Sequence, residues 1–565
     1  MLSIRKIGIV GRTYRHLNRY RQILAIFFKY GFGDLVELLR IDQYLEVGLQ
    51  LISRKRRDRI ERFSRAERVR MALEELGTTY IKFGQVLSTR PDLIPLDFVN
   101  ELSKLQDNVP PCPFSEAGLV FESECGSKIG DIFSSFEETP IASASIGQVY
   151  RAALKAGDAV AVKIQRPGII KTIEVDLEIM LHLATLMERH IEELALHGPV
   201  RIVDEFARSI EREIDYTIEA ANMQRVSRQV FDDATVYVPK VYRDLSTSRV
   251  LTMEYVEGIK VSDVDRLDAA GLDRKLITER GATFYLKQIF EHGFFHADPH
   301  PGNIFALPEN IICLLDFGMV GSVDRRTREE FVNLIDSVIH EDEGRACRIL
   351  IELASRDDDP DIRSMEKDVA LFMGQHLYKP LNEIKIGKLL QDLLEIASRY
   401  RLGIPPDLFL MMKALGTVEG VALSLDPDFD MISNAKPFIE RIKLARFSPQ
   451  RVAADMAQMA SDLLQFSRQF PQDLLEIGRL IRQKRMTVKL DHQGLETMMA
   501  THDQISNRIS FSIIIAALII GSALIVISGT PPFFYGISLI GIILFLAAAI
   551  MGIWLLVAIL RKGRL

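Results

Sequence analysis

The sequence predicts an α+β protein in which a small mixed lobe precedes a larger helical lobe. Alternating apolar and polar residues at 148–154, 159–164 and 249–253 predict strands. After Leu272 the pattern is mainly helical to about Met499, apart from residues 303–320. Strands that are grouped early in a chain and followed by helices are typical of two lobes of different composition.

Two further segments flank these lobes. The first 70 residues are basic, most densely at 54–57, and either lie on an anionic membrane surface or form a solvated helix face. Helical patterns at 170–197 and 203–226 lie between the predicted strands. We assign an N-terminal helical extension to 1–125, the small lobe to 126–260 and the helical lobe to 261–500.

The C-terminal region contains two long uncharged apolar runs, at 509–528 and 533–560. About 20 apolar residues cross ~30 Å of hydrocarbon as a helix, so the runs predict a two-helix transmembrane hairpin. Arg508 precedes the first run and Arg561 follows the second, whereas the turn carries no Lys or Arg. The positive-inside rule therefore predicts a soluble part and two termini in the cytoplasm of a bacterium, with the hairpin in its inner membrane.

Composition excludes several classes of protein. A formal net charge of −6 does not favour nucleic-acid binding. The four cysteines are far apart, which indicates reduced thiols rather than a disulfide framework or a zinc site. No dinucleotide-binding, haem-attachment or iron–sulfur spacing appears, so the sequence does not favour redox chemistry.

The segment His296–Asn303 carries the first chemical pattern. Asp298 is followed five positions later by Asn303, the spacing of a kinase catalytic loop. An apolar strand pattern then ends in Asp316-Phe317-Gly318, where a carboxylate suits a magnesium ion that bridges two phosphates. The spacing predicts that Asn303 and Asp316 bind one Mg²⁺ ion and that Asp298 orients the attacking group or accepts its proton.

A lysine and a glutamate complete a predicted ATP site. Lys163 ends the pattern Val-Ala-Val-Lys on a predicted strand, where its ammonium would meet the α- and β-phosphates. Glu219, placed near the end of the helical pattern that begins at Val203, is the expected partner of this lysine. Together these residues predict an atypical protein-kinase-like fold with ATP and Mg²⁺ as cofactors.

The expected cofactor-binding positions include a loop before this strand. Small side chains in this loop permit close approach of the backbone to phosphates. The loop has fewer glycines than the phosphate-binding loop of ordinary kinases, which predicts a nucleotide affinity or selectivity that differs from theirs. The loop positions are Ala142, Ser143, Ala144, Ser145 and Gly147. We also assign Glu254 and Val256, at and after the end of the third predicted strand, to cofactor binding.

These motifs together resemble the UbiB family, also called the ABC1 or aarF-domain family of atypical kinases. Its K-x-G-Q signature is matched at Lys82–Gln85, its alanine-rich loop at Ala142–Gln148 and its E-x-D at Glu213–Asp215. The catalytic loop and the D-F-G also match. The resemblance implies that the helix of Lys82 and Gln85 folds over the active site and meets Glu213 and Asp215. On this basis Lys82 joins Lys163 and Asp298 as an expected catalytic residue, and Gln85, Glu213 and Asp215 are expected to be regulatory.

The expected reaction is ATP hydrolysis or phosphorylation of a small lipid-like molecule. His300 stands where protein kinases usually have Lys, no A-P-E follows Asp316, and the stretch before Arg325 is short for a peptide-docking segment. The resemblance implies ubiquinone synthesis, with the bilayer, polyprenyl-phenol or quinone precursors, or the enzymes that act on them as partners. Two alternatives stay open: a non-catalytic ATP-binding scaffold, and a metal-dependent hydrolase built on His296, Asp298 and His300.

Overall fold

A computed structural model describes most of the chain. The described residues are 17–33, 62–91, 93–105, 109–191, 198–354, 360–376, 385–400, 402–446, 495–534 and 537–561, with scattered positions from 449 to 467. The basic run at 54–57 lies outside them. The chain divides into two compact units, Met1–Ala453 and Ala454–Leu565, which are treated separately below.

Helices dominate the first unit. They are α1 (Leu17–Lys29), α2 (Arg65–Leu76), α3 (Thr78–Leu87), α4 (Leu96–Leu102), α5 (Phe114–Cys125), α6 (Ile129–Ile132), α7 (Ile169–His190), α8 (Pro199–Glu213), α9 (Tyr216–Gln229), α10 (Val264–Ala269), α11 (Arg274–Leu286), α12 (Arg325–Ile339), α13 (Glu343–Leu353), α14 (Ile362–His376), α15 (Ile386–Arg399), α16 (Pro406–Leu425) and α17 (Met431–Arg446). A π-helical turn, Lys287–His292, extends α11.

The strands of this unit form three sheets. They are β1 (Phe133–Phe136), β2 (Ala142–Ser143), β3 (Gly147–Leu154), β4 (Ala159–Gln165), β5 (Val236–Tyr237), β6 (Val250–Glu254), β7 (Ile259–Lys260), β8 (Phe294–His296), β9 (Ile304–Leu307), β10 (Ile311–Leu314) and β11 (Val320–Ser322). The small lobe contains the order β1-β3-β4-β6, with β2 paired to β3. The other sheets have the orders β5-β10-β9-β7 and β11-β8.

The three strands predicted in the small lobe are confirmed, each to within one residue at either end. The alternation that predicted β4 has a physical basis, because Val160 and Val162 are fully buried under the sheet. The ladder pairs Val149 with Lys163 and Lys163 with Leu251, which fixes the lysine in the middle of three strands.

The continuous helix expected at 203–226 is wrong, because the chain forms two helices there. Asp215 has an extended backbone between α8 and α9, and its side chain accepts a hydrogen bond from the Thr217 amide. This is an N-cap, which satisfies one of the unpaired amides at the start of a helix. Glu219 consequently lies in the first turn of α9 rather than near the end of a long helix.

The N-terminal helix packs against protein. In α1, Ile23 and Leu24 are buried in a cluster that includes residues of α7 and α8. Arg19 forms two hydrogen bonds, of 2.7 and 3.0 Å, with the buried carboxylate of Asp176. The apolar run near residue 23, which lies within the basic N-terminal region, therefore belongs to a protein core.

Helix α16 is an apolar helix in the interior of the large lobe. Its sequence is long and apolar enough to cross a membrane, with a mean hydropathy of 1.5, yet 61% of the window is buried inside the protein. It packs against α11, α15 and β11. Its apolar character is explained by this core position.

The described part of the second unit contains two apolar helices, α18 (Leu495–Ser528) and α19 (Leu539–Arg561). Ile509–Ser528 has a mean hydropathy of 2.7 and is only 6% buried, and Leu539–Leu555 is a shorter apolar segment. The rings of Phe511 and Trp554 lie 6.2 Å apart, so the helices contact each other.

The second helix begins later than the apolar run from residue 533 suggested. Two short strands, β12 (Phe533–Phe534) and β13 (Ile537–Ser538), pair between the helices. A short apolar stretch near a turn is compatible with a pair of strands as well as with a helix. Hydropathy alone does not distinguish the two structures.

Candidate nucleotide site

A buried lysine–glutamate pair lies at the centre of the site. The Nζ atom of Lys163 on β4 donates to both carboxylate oxygens of Glu219 on α9, at 2.9 and 2.8 Å. Burial lowers the pKa of the Lys163 ammonium, but the carboxylates of Glu219 and Asp316 outweigh it and raise that pKa. Burial raises the pKa of Glu219 against the opposing charge of Lys163. The pair supplies a fixed cation inside the cleft.

Asp316 follows β10 and faces the same lysine. Its Oδ1 atom lies 3.7 Å from Lys163 Nζ, and its side chain is 55% exposed. The Lys163 cation lowers the pKa of this carboxyl, and His296 and Lys82 lower it further. The backbone φ of +59° is uncommon for a residue other than Gly and occurs often at functional sites.

Asn303 and Asp298 adjoin Asp316. The side-chain Nδ2 atom of Asn303 lies 3.4 Å from the Asp298 backbone carbonyl oxygen and 3.5 Å from Asp298 Oδ2. The Leu315 amide donates to the Asn303 carbonyl at 2.9 Å, which continues the β9–β10 pairing to the residue before Asp316. Carboxylate and amide oxygens are the hard ligands that Mg²⁺ prefers, so Asp316 and the nearby Asn303 are of the right chemistry for a magnesium nucleotide.

The histidines of the catalytic loop do not form a metal cluster. His296 Nε2 donates to the Asp316 carbonyl at 2.8 Å, and His300 Nδ1 accepts from the Gly302 amide at 3.1 Å. Within the part of the chain that the structure describes, no three His, Cys, Asp or Glu residues are grouped to hold a metal. The geometry therefore does not support the hydrolase alternative.

The loop between β2 and β3 is held in place by Arg166. Its guanidinium donates to the Ala144 carbonyl, the Ser143 hydroxyl and the Pro110 carbonyl, each at 2.8 Å. The Ser143 hydroxyl in turn donates to the Val109 carbonyl at 2.9 Å. Ala142, Ser143 and Ala144 are thus part of a β-hairpin that hydrogen bonds attach to the segment before α5.

Two other loop residues are buried. Ser145 is fully buried, and its hydroxyl has no hydrogen-bond partner among the described residues. A Cβ atom on Gly147 would overlap the hydroxyl of Tyr216. The Tyr216 ring also lies 5.1 Å from Lys163 Nζ, so Gly147 and Lys163 both depend on the position of this ring.

Glu254 and Val256, the other two expected cofactor-binding residues, have no contact with the Lys163–Glu219 pair that the structure describes. Glu254 Oε2 accepts hydrogen bonds from the Tyr237 hydroxyl at 2.6 Å and the Lys240 amide at 3.2 Å, so its side chain is engaged with the protein. Val256 follows β6 and is partly buried. The structure describes no contact that distinguishes either residue as a ligand.

The helix that carries Lys82 docks on α8. Lys82 Nζ lies 2.5 Å from Glu213 Oε1, and Arg90 NH1 lies 3.1 Å from Glu205 Oε1. The rings of Phe83 and Phe206 meet edge to face at 5.1 Å between these ion pairs. The structure therefore brings Lys82 and Glu213 together, close enough to Asp316 for Lys82 to lower its pKa.

Gln85 and Asp215 have other roles. The Gln85 side chain donates to the Leu105 carbonyl at 3.1 Å, which fixes the segment after α4. Asp215 caps α9 and thereby positions Glu219. Sequence reasoning missed Arg166, Tyr216 and the Arg90–Glu205 pair, because single residues of these types carry no pattern until their partners are known.

This fold and site define an atypical protein-kinase-like protein. Three family profiles match in order: the ABC1 atypical kinase-like domain at residues 104–350, the UbiB helical domain at 369–430 and the ABC1/UbiB kinase-like C-terminal domain at 493–561. The chain belongs to the ABC1/UbiB family of atypical kinase-like proteins.

Relatives cover most of the chain. An uncharacterized protein in the hydrogenase 1 5′ region of Clostridium pasteurianum is 32% identical over 97% of this chain and 99% of its own length. A probable protein kinase UbiB of Cellvibrio japonicus is 36% identical over 82% of this chain and 85% of its own. A solved complex of Rv3197 with erythromycin from Mycobacterium tuberculosis is 25% identical over 63% of this chain and 90% of its own, with a TM-score of 0.46.

Proposed function

We propose that the chain binds Mg·ATP between its lobes and uses it to hydrolyse ATP or to phosphorylate a small lipid-like molecule, in support of isoprenoid-quinone synthesis. The observation that carries the proposal is the position of Lys163, 2.8 Å from Glu219 and 3.7 Å from Asp316. A cation between two carboxylates, one of them next to the catalytic loop, suits a triphosphate and its divalent ion.

Each residue has a proposed role. Lys163 contacts the α- and β-phosphates, and Glu219 holds the lysine in place. Asn303 and Asp316 hold Mg²⁺, which supplies charge neutralisation at the phosphates when bound. Asp298 orients the attacking oxygen or accepts its proton. Lys82, held by Glu213, closes the cleft and adds positive charge near Asp316.

Two features favour a small acceptor over a protein substrate. Only a short stretch separates Gly318 from α12, which begins at Arg325, and β11 occupies part of it. The Lys82 helix and the turn after it are held on α8 by two ion pairs. Little room or chain length is left for a peptide-docking segment of the kind that protein kinases use.

We propose that the second unit anchors the chain in the bacterial inner membrane. The exposed, apolar surface of Ile509–Ser528 supports a membrane span, and the adjoining α19 supports a second. Polyprenyl precursors concentrate in the bilayer, so an anchor raises their effective concentration at the enzyme. Deletion of residues 505–565 should move the protein to the soluble fraction and lower quinone content, and unchanged quinone with a soluble protein would oppose the anchor.

A second candidate function is an ATP-binding scaffold for enzymes that act on quinone precursors. The fastening of Ser143 and Ala144 by Arg166 favours it, because a fixed loop restricts rearrangement around phosphates.

Phosphate release by the purified full chain, with ATP, Mg²⁺ and a phenolic precursor mimic, distinguishes the two functions. Release that disappears in Asp316→Asn supports the enzyme. Nucleotide binding without turnover supports the scaffold, and a failure to bind ATP rejects both.

A further inference from the structure

The catalytic loop lacks a cation where the transferred phosphoryl group would lie. Protein kinases usually have Lys two residues after the catalytic aspartate, but here that residue is His300. Its Nδ1 atom accepts a hydrogen bond from the Gly302 amide, so the ring stabilises the loop itself. Transfer of a phosphoryl group spreads negative charge over its oxygens, and this charge needs a positive partner.

Helix α16 passes directly behind this loop. It packs against β11, whose Val320 pairs with His296 two residues before Asp298. It also packs against α11, where Val418 and Val421 line a small apolar cavity with Tyr285 and Ile304. Ile304 is the residue after Asn303. One helix thus contacts the structure on both flanks of the catalytic loop.

Lys413 is a cation in the middle of this helix. Its neighbours Met411, Met412, Ala414 and Leu415 are buried, and Lys413 itself is partly buried. Its ammonium has no hydrogen bond or ion pair with any residue that the structure describes. A partly buried ammonium among apolar neighbours, with no protein partner in the described part of the chain, is free to bind an anion.

Asp298 is the charged group that acts on this lysine. Burial lowers the pKa of the Lys413 ammonium, and the negative charge of Asp298 opposes that effect. The hydroxyl of Tyr285, also buried without a partner among the described residues, is under the influence of the same carboxylate. Both observations agree with the packing of α11 and α16 around the catalytic loop.

We propose that Lys413 is a catalytic residue that supplies, from the large lobe, the positive charge that the catalytic loop lacks. This inference rests on the proposed ATP site. An oxygen of water or an alcohol bonds to the γ-phosphorus, the bond to the β–γ bridging oxygen breaks, and ADP leaves. The proton of the attacking oxygen passes to Asp298 and then to solvent. Lys413 donates a hydrogen bond to a γ-phosphate oxygen throughout and keeps its proton.

The test compares Lys413→Met and Lys413→Gln with Lys413→Arg and with Lys388→Met. Lys388 is an exposed lysine on α15, a neighbouring helix, and serves as the matched control. Dissociation constants are measured on the full chain for ADP and for a non-hydrolysable ATP analogue, both with Mg²⁺. Their ratio reports a contact with the γ-phosphate, and retained ADP binding shows that each variant is folded.

We expect the preference for the ATP analogue over ADP to fall about tenfold in Lys413→Met and Lys413→Gln, as for loss of one hydrogen bond to a charged group. Lys413→Arg should retain most of the preference, and Lys388→Met all of it. Where the wild type turns over, kcat should fall about 100-fold with little change in KM.

Variants at Lys413 that keep the wild-type preference and kcat would overturn the role of Lys413 while leaving the ATP site intact. A wild-type chain that binds neither nucleotide would overturn the ATP site and this inference together. A failure of the proposed ATP site is seen in the wild type, and a failure of the role of Lys413 is seen only in the variants, so the two outcomes are distinguishable.

Discussion

The ammonium of Lys163 lies 3.7 Å from a carboxylate oxygen of Asp316, although one residue is on β4 of the small lobe and the other follows β10 of the large lobe. This pair of opposite charges is one of the contacts that join the two lobes. Glu219 holds the lysine from α9, and Asn303 adjoins the aspartate from the catalytic loop. The predictions below test how these groups are held in place.

Gly147 is predicted to leave the space that the Tyr216 ring needs beside Lys163. In Gly147→Ala the new methyl group would overlap the Tyr216 hydroxyl and lie 3.0 Å from the Ile164 carbonyl oxygen. Overpacking of this kind costs about 1–3 kcal/mol, so we expect a lower free energy of unfolding and weaker ATP binding. Chemical denaturation and nucleotide titration measure both.

Gly374→Ala is the control for this substitution. Gly374 is an exposed residue of α14 with nothing within 4 Å of a new Cβ atom. Alanine in a helix should raise the free energy of unfolding by about 0.5–1 kcal/mol. Equal stability of Gly147→Ala and the wild type would contradict the tight contact with Tyr216.

The Lys82–Glu213 ion pair is predicted to stabilise the packing of α3, in the N-terminal extension, against α8. Lys82→Ala and Glu213→Ala should each destabilise the protein, and the double variant should lose less than the sum by about 1 kcal/mol. The reason is that either single substitution already removes the 2.5 Å contact. A double-mutant cycle by denaturation measures the coupling.

A double-mutant cycle that combines Lys82→Ala with Glu205→Ala is the control. Glu205 pairs with Arg90, and it lies two turns before Glu213 on α8, about 12 Å along the helix axis. Substitutions at Lys82 and Glu205 should therefore be additive within about 0.5 kcal/mol. Additive losses for Lys82 and Glu213 would show that their contact contributes nothing to docking.

Asp324 is predicted to make the helix after the D-F-G segment sensitive to acid. It caps α12, and hydrogen bonds from Thr327 lower the pKa of its carboxyl. The folded pKa is below the unfolded pKa, so its stabilisation is present above the unfolded value, near 4, and is lost as the pH falls through the folded value.

The substitution Asp324→Ala should cost about 1 kcal/mol at neutral pH. Below the folded pKa the difference from the wild type should shrink. Asp265→Ala, at an exposed position that caps no helix, should show neither effect. A loss in Asp324→Ala that does not change with pH would indicate that packing, rather than the charged cap, is responsible.

Much of the site could be predicted from the sequence because its spacing reflects strand geometry. Asp298, Asn303 and Asp316 flank β9 and β10, whose pairing brings the ends of a short segment together. Lys163 lies on a mostly buried strand, and its short run of apolar residues predicted that strand. Local sequence patterns of this kind predict the backbone structure, because the spacing of the residues follows from it.

The remaining features depend on contacts between distant segments. The interruption between α8 and α9 was missed because Asp215 was expected to be a regulatory residue, whereas its side chain caps α9. Arg166 fastens the loop by bonds to carbonyl oxygens, which every residue possesses. Lys413 resembles any other lysine until α16 is packed behind the catalytic loop.

The most direct test of the account is the affinity of the purified full chain for ATP with and without Mg²⁺. The wild type and Asp265→Asn should bind ATP more tightly when Mg²⁺ is present. In Asp316→Asn this affinity with Mg²⁺ should fall by about 10- to 100-fold, to the value without the ion. If Asp316→Asn binds ATP as the wild type does and keeps the full Mg²⁺ dependence, Asp316 is not the ligand of the ion and the proposed site is wrong.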